Sequence, residues 1–67
     1  GAGRALLAAA EAELVRLGFD QAVLWVLPGN RRARRFYEIA GWAADGAERT
    51  EETWAHIPEV RYRRALP

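Results

Sequence analysis

The chain has no cysteine, no methionine and no lysine, and its one histidine is His56. Without cysteine no disulfide framework can form, and a lone histidine leaves no plausible all-protein zinc site, so no metal is expected. Long apolar runs are missing as well. Ala22 to Leu27 is far too short to cross a bilayer, and no basic, apolar, small-residue pattern opens the chain as a secretory signal would. These absences fit a soluble, cytoplasmic protein with no membrane partner. The missing methionine and the abrupt opening Gly1-Ala2-Gly3 are read as a start of translation outside the chain.

What is present describes a folding chain. Of the 67 residues, 51% are hydrophobic and 28% charged, a globular rather than a disordered composition. A chain this short buries only about 60% of its unfolded surface. With disulfides and metals excluded, further support must come from a partner surface or from additional chain. The net charge of +1 conceals local clusters, because all ten basic residues are arginine.

Arg4 to Leu17 is rich in strong helix formers, with Leu7, Ala10, Leu14 and Leu17 at helical spacing, and Gly18 follows where a left-handed cap is favoured. The apolar run Ala22 to Leu27 reads as a strand buried on both faces. Pro28-Gly29 breaks it, Asn30 stands at an N-cap position, and a second helix runs from Arg31 to Ala40. Its inward residues are Ala33, Phe36, Ile39 and Ala40, and Gly41 ends it. Trp42 begins a shorter extended segment, Asp45-Gly46 signals a turn, and Ala47 to His56 is polar except for Trp54. From Glu59 to Leu66 the pattern alternates, Val60, Tyr62 and Leu66 against Glu59, Arg61 and Arg63, with Arg64 the exception on the first face. The expected order is helix, strand, helix, strand, strand, a mixed α/β unit with no repeat or linker. Such a sheet closes only with strands from elsewhere, supplied by a missing N-terminal segment or by another chain, a homodimer included.

Gly1-Ala2-Gly3 before a helix offers free amides and no side chain to block an approaching phosphate, although two terminal glycines are also simply a flexible end. The second segment carries more information. Asn30, Ala33, Phe36-Tyr37 and Gly41-Trp42 stand in the spacing Asn, two residues, Ala, two residues, Phe-Tyr, three residues, Gly-aromatic. With Gly1 and Gly3 as the end of a phosphate-binding loop, and Val60 to Arg64 as a final strand, the chain resembles the C-terminal half of a GNAT-superfamily, acetyl-CoA-dependent N-acetyltransferase domain. The leading Gln or Arg of that loop, and the earlier strands and helices, are absent.

The resemblance implies residue roles. Backbone amides of Gly1, Ala2, Gly3, Arg4 and Ala5 would bind the pyrophosphate of acetyl-CoA, Asn30 the pantetheine arm or acetyl region, and Ala33 and Arg34 would border the same cosubstrate. Tyr37 would lie near the thioester sulfur as general acid. The chemistry is coherent: acetyl transfer to an amine expels a thiolate, and a phenol (pKa about 10) is a reasonable proton donor to a thiol (about 8.5). By itself such a tyrosine is equally a packed ring with a wet hydroxyl. Arg31, Arg32, Arg34 and Arg35 raise a nucleic-acid alternative, or a non-catalytic CoA-binding module. Consecutive positions turn by about 100° on a helix, so the four cannot address one ligand. A solvated face is favoured, with Arg34 or Arg35 as phosphate contacts. Phe36 and Trp42 read as core. Glu51, Glu52 and Glu59 are assigned no role.

Overall fold

A computed structural model describes residues 2–50 and 58–67. Two helices, α1 (Ala2–Arg16) and α2 (Arg31–Ile39), combine with three strands, β1 (Gln21–Val26), β2 (Ala43–Thr50) and β3 (Pro58–Ala65). The chain order is the expected one. All pairings are antiparallel and the sheet order is β1-β3-β2, so the last strand of the chain becomes the central one. Trp54, His56, Glu51 and Glu52 lie outside the described residues, as does Gly1.

Both helices end as the sequence predicts, and in the same way. The amide of Phe19 donates to Leu14 and that of Gly18 to Val15; Trp42 donates to Tyr37 and Gly41 to Glu38. Each pair is a Schellman motif, and Gly18 and Gly41 take the left-handed φ of 95° and 97° that it requires. The apolar contact that accompanies the motif is present at α2, where the Tyr37 and Trp42 rings lie 6.1 Å apart.

Register fixes the two faces of the sheet. Leu24 pairs with Tyr62 and Val26 with Val60, while on the other side Ala44 pairs with Tyr62. This face meets the helices: Ala22, Val26, Trp42, Tyr62 and Leu66 are buried, with Leu7 and Leu14 of α1 and Ala33 and Tyr37 of α2 packed against them. The opposite face carries Trp25 beneath Arg49 and Arg61, whose guanidinium carbons lie 4.4 and 6.0 Å from its ring centre.

Four expectations are corrected. The β1 run is covered on one face only, and Val23 is 50% exposed, because both helices pack on the face of Ala22 and Val26. Asp45-Gly46 is a bulge inside β2 rather than a turn. Ala44 to Glu48 advances four positions while β3 advances two, from Tyr62 to Val60, and Gly46 takes a φ of 91°. The bulge turns Asp45 toward β3, where its carboxylate accepts from Arg61 Nε at 2.6 Å and Arg63 Nε at 3.2 Å. The Ala47 amide first, then these arginines, hold Asp45 below the usual carboxylate range. Helix α1 begins at Ala2, earlier than Arg4, so Gly3 lies in its first turn. Ile39 points to solvent, as do Ala10 and Leu17, since the core cluster is met only by Leu7 and Leu14 from α1 and by Ala33, Tyr37 and Ala40 from α2.

Candidate active site

Among the described residues, the first amides of α1 have no partner. A helix beginning at Ala2 has no carbonyl of its own one turn earlier for the amides of Ala2, Gly3 and Arg4, and no hydrogen bond among the described residues ends on them. Free amides and the positive end of the helix dipole together favour an anion there. Ala5 follows one position further in, and both Arg4 and Ala5 border an open groove of about 450 Å³ whose other walls include Glu11, Ala40 and Arg64.

The start of α2 is occupied by its own cap. Asn30 Oδ1 accepts from the Ala33 amide at 3.1 Å, as the N-cap reading required, while its Nδ2 group takes no part in the cap. The Arg31 amide donates to Gly29, and Arg34 to the Asn30 carbonyl. Ala33 is half-buried against the core.

The start of α1 meets the body of α2. A Cβ built on Gly3 would sit 3.6 Å from Cε1 and Cζ of Phe36, an ordinary contact, so the first turn of α1 lies against the middle of α2. Phe36 meets Tyr37 edge-on at 5.2 Å. The Tyr37 ring is half-buried among Phe36, Trp42 and Tyr62, the last at 6.4 Å.

Arg34 is turned inward. Its Nε donates to the Tyr62 hydroxyl at 3.0 Å and its Nη1 to the Pro28 carbonyl at 3.0 Å. Tyr62 in turn donates to Glu38 Oε2 at 2.6 Å. Hydrogen bonding to the phenol oxygen, with the nearby phenol and the Glu38 charge adding to it, holds the Arg34 guanidinium above the ordinary arginine range. Arg34 also borders, with Arg31, Arg35 and Glu38, a second groove of about 250 Å³. Arg31, Arg32 and Arg35 are exposed, the solvated face expected of them.

Sequence reasoning missed two sets of partners. The alternation sets Tyr62 on one face of the last strand but does not join it to Arg34 and Glu38, which stand 28 and 24 residues away in the chain. Arg64 was seen only as a break in the alternation. It stands on the helix-facing side of β3, its Nε 3.1 Å from Glu11 Oε1 of α1, and its Nη1 donates to the Ala40 carbonyl at the end of α2. The positive charge there complements the negative end of the α2 dipole. The available signal was that break itself, since an arginine on the apolar side of a half-buried strand needs partners.

The family model described as the acetyltransferase (GNAT) family matches residues 1–42, which include the first turn of α1 and the whole Asn30 to Trp42 pattern. The chain belongs to this family. No curated protein and no solved structure matches the chain. The two-helix, three-stranded antiparallel α+β arrangement is compatible with a fragment of the family's domain. Membership brings transferase chemistry of the acyl type, for which the family generally uses acetyl-CoA. Among the described residues no helix is long and apolar enough to cross a membrane, and no acidic, cysteine and histidine group could hold a metal ion.

Proposed function

We propose that residues 1–67 are the C-terminal part of a single N-acetyltransferase domain that moves the acetyl group of acetyl-CoA to a primary amine of a small molecule or protein. The supporting observation is the convergence at Gly3 and Phe36. It brings the bare first turn of α1, suited to a pyrophosphate, against the helix that carries Asn30 and Tyr37, within the span matched by the family.

In this reading the amides of Gly1, Ala2, Gly3, Arg4 and Ala5 hold the pyrophosphate. Asn30, its Oδ1 engaged in the cap, offers Nδ2 to the pantetheine arm or the acetyl carbonyl. Ala33 adds apolar wall, and Arg34 with Arg35 lends positive potential to the smaller groove. The neutral amine attacks the thioester carbonyl directly in a ternary complex and its nitrogen gives up a proton to solvent; the carbon–sulfur bond then breaks, Tyr37 gives its phenolic proton to the departing sulfur, and the tyrosinate is reprotonated from solvent. The rest of the domain, from a preceding segment or a second copy, supplies the acceptor site and the strand beside β1. Support for that comes from β1, which pairs only with β3 among the described residues and leaves Val23 and Leu27 exposed. Nucleic acid is not a partner in this reading.

The test uses the complete protein. Isotope-labelled acetyl-CoA should leave no acetylated enzyme before acceptor is added, and a trapped acetyl-enzyme would overturn direct attack. Tyr37→Phe should lower turnover by about 10²-fold, the lower range for losing a general acid, with acetyl-CoA affinity by calorimetry little changed. An unchanged rate would remove Tyr37 from the mechanism. Binding that falls steeply with salt on DNA, without binding of CoA, would favour the arginine helix as a nucleic-acid module instead.

A further inference from the structure

We infer that Tyr62 is a positioning residue for acetyl transfer, acting through Arg34 and Glu38 on both ends of the Asn30 to Tyr37 segment. This rests on the proposed roles of Asn30 and Tyr37. Tyr62 is 0% exposed and sits on the central strand, paired with Leu24 on one side and Ala44 on the other, which makes it a rigid support. Its single hydroxyl uses both of its hydrogen-bonding capacities across the sheet–helix interface. It accepts from Arg34 Nε at 3.0 Å and donates to Glu38 Oε2 at 2.6 Å.

The two branches end where position matters. Through Arg34 Nη1 the first reaches the Pro28 carbonyl, two residues before Asn30. The second holds Glu38, the residue after Tyr37, whose backbone carbonyl already accepts from Gly41 in the helix cap. Pro28 fixes the path by which the chain enters α2, and Glu38 fixes the rotation of the last turn of α2 about its axis. The Tyr37 ring lies 6.4 Å from that of Tyr62. A purely apolar contact at Tyr62 would allow α2 to slide and rotate; two charge-assisted bonds to one fixed oxygen do not. Misplacement of a reacting group by about 1 Å can cost up to about 10² in rate.

The experiment is a double-mutant cycle on turnover in the complete protein, with Tyr62→Phe, Tyr37→Phe and the double variant. Phenylalanine keeps the buried ring and removes only the hydroxyl. With concentrations corrected for the folded fraction, Tyr62→Phe should lower kcat about tenfold with acetyl-CoA KM within about threefold, a split that a weakened cosubstrate site does not produce. In the Tyr37→Phe background the same change should cost less than about twofold, because the group being positioned is already gone. Multiplying effects would overturn the inference. If Tyr37→Phe is impaired while Tyr62→Phe stays within twofold of wild type, the positioning role falls and the acid role stands; if Tyr37→Phe is itself unimpaired, both fall. Should Tyr62→Phe not fold, Glu38→Ala, on the exposed end of the same network, carries the cycle with the same expected non-additivity. The Arg34 Nε proton should exchange slowly by NMR in the wild type and rapidly once Tyr62→Phe removes its acceptor, and an unchanged rate would overturn the network itself.

Discussion

The two helices differ in what holds them. Neither helix fully buries a residue; α1, the longer, is held by Leu7 and Leu14 against the core and by Glu11, its tie to Arg64. Helix α2 is short and anchored throughout, by the Asn30 cap, the Arg34–Tyr62–Glu38 bonds and Arg64 at its C-terminal end. A helix of nine residues is marginal alone, so these tertiary ties are what make α2 persist. The long helix has no partner for its first amides among the described residues. The short one has its cap oxygen and its inward arginine engaged internally.

The largest effect that could break this contrast lies at the two capping glycines. They share a left-handed backbone, but a Cβ on Gly18 meets nothing within 4 Å, whereas one on Gly41 would come within 3.0 Å of Arg64 Nη1. Alanine should cost about 1–2 kcal/mol at Gly18 from backbone strain alone, and about 1 kcal/mol more at Gly41, where a packed side chain must also yield. Chemical denaturation compares the two variants. Only Gly41→Ala should also loosen α1, because Arg64 would leave Glu11, and hydrogen exchange across residues 2–16 would register that loss. Equal costs at the two glycines would mean that Arg64 does not join the helices.

Local signals made much of this legible. Asn30, Gly18 and Gly41 act within one turn of chain, and their chemistry is the same in sequence and structure. The Asp45-Gly46 pair was misread because a turn and a bulge both call for a positive φ, and they differ only in whether the strand continues beyond, which pairing decides. Val23 was misread because a continuous apolar run says what a strand tolerates on each face, not which face the helices choose. The Tyr62 network was out of reach for a third reason. Joining Arg34 to Tyr62 requires knowing that β3 inserts between β1 and β2, a pairing 28 residues distant that no local pattern encodes. At the site, the roles expected of Gly1 to Ala5, Asn30, Ala33, Arg34 and Tyr37 come from the family resemblance. Their convergence through Gly3 and Phe36 was visible only in three dimensions.

A smaller change sharpens the difference at the starts of the helices. Asn30→Ala should cost about 1 kcal/mol through loss of the cap. Asn30→Asp retains an oxygen that accepts from the Ala33 amide and lacks the Nδ2 donors. It should therefore keep the melting temperature within a degree or two of wild type, since acidic caps serve as well as amides, while weakening acetyl-CoA binding in calorimetry. Loss of stability without loss of binding in the aspartate variant would leave Asn30 as a cap alone.

The smallest change in stability is expected at Gly3, and it bears directly on why the first turn of α1 is bare. Glycine is a poor helix residue, and alanine in its place should hold stability level or raise it by up to about 1 kcal/mol. The packing permits this, since the new Cβ would find Phe36 at an ordinary 3.6 Å. A position where alanine is both sterically allowed and favourable for the helix gives folding no reason to need glycine. In the proposed reading, close approach of a phosphate to the amides would supply one, because a Cβ beside them would stand in the path of the oxygens. Gly3→Ala in the complete protein should therefore melt no lower than wild type and bind acetyl-CoA about tenfold more weakly, and its loss of affinity should be smaller for dephosphorylated pantetheine thioesters that lack the pyrophosphate. Equal weakening toward both ligands would place the effect at Phe36 and the α1–α2 contact, and would remove the pyrophosphate from the start of α1.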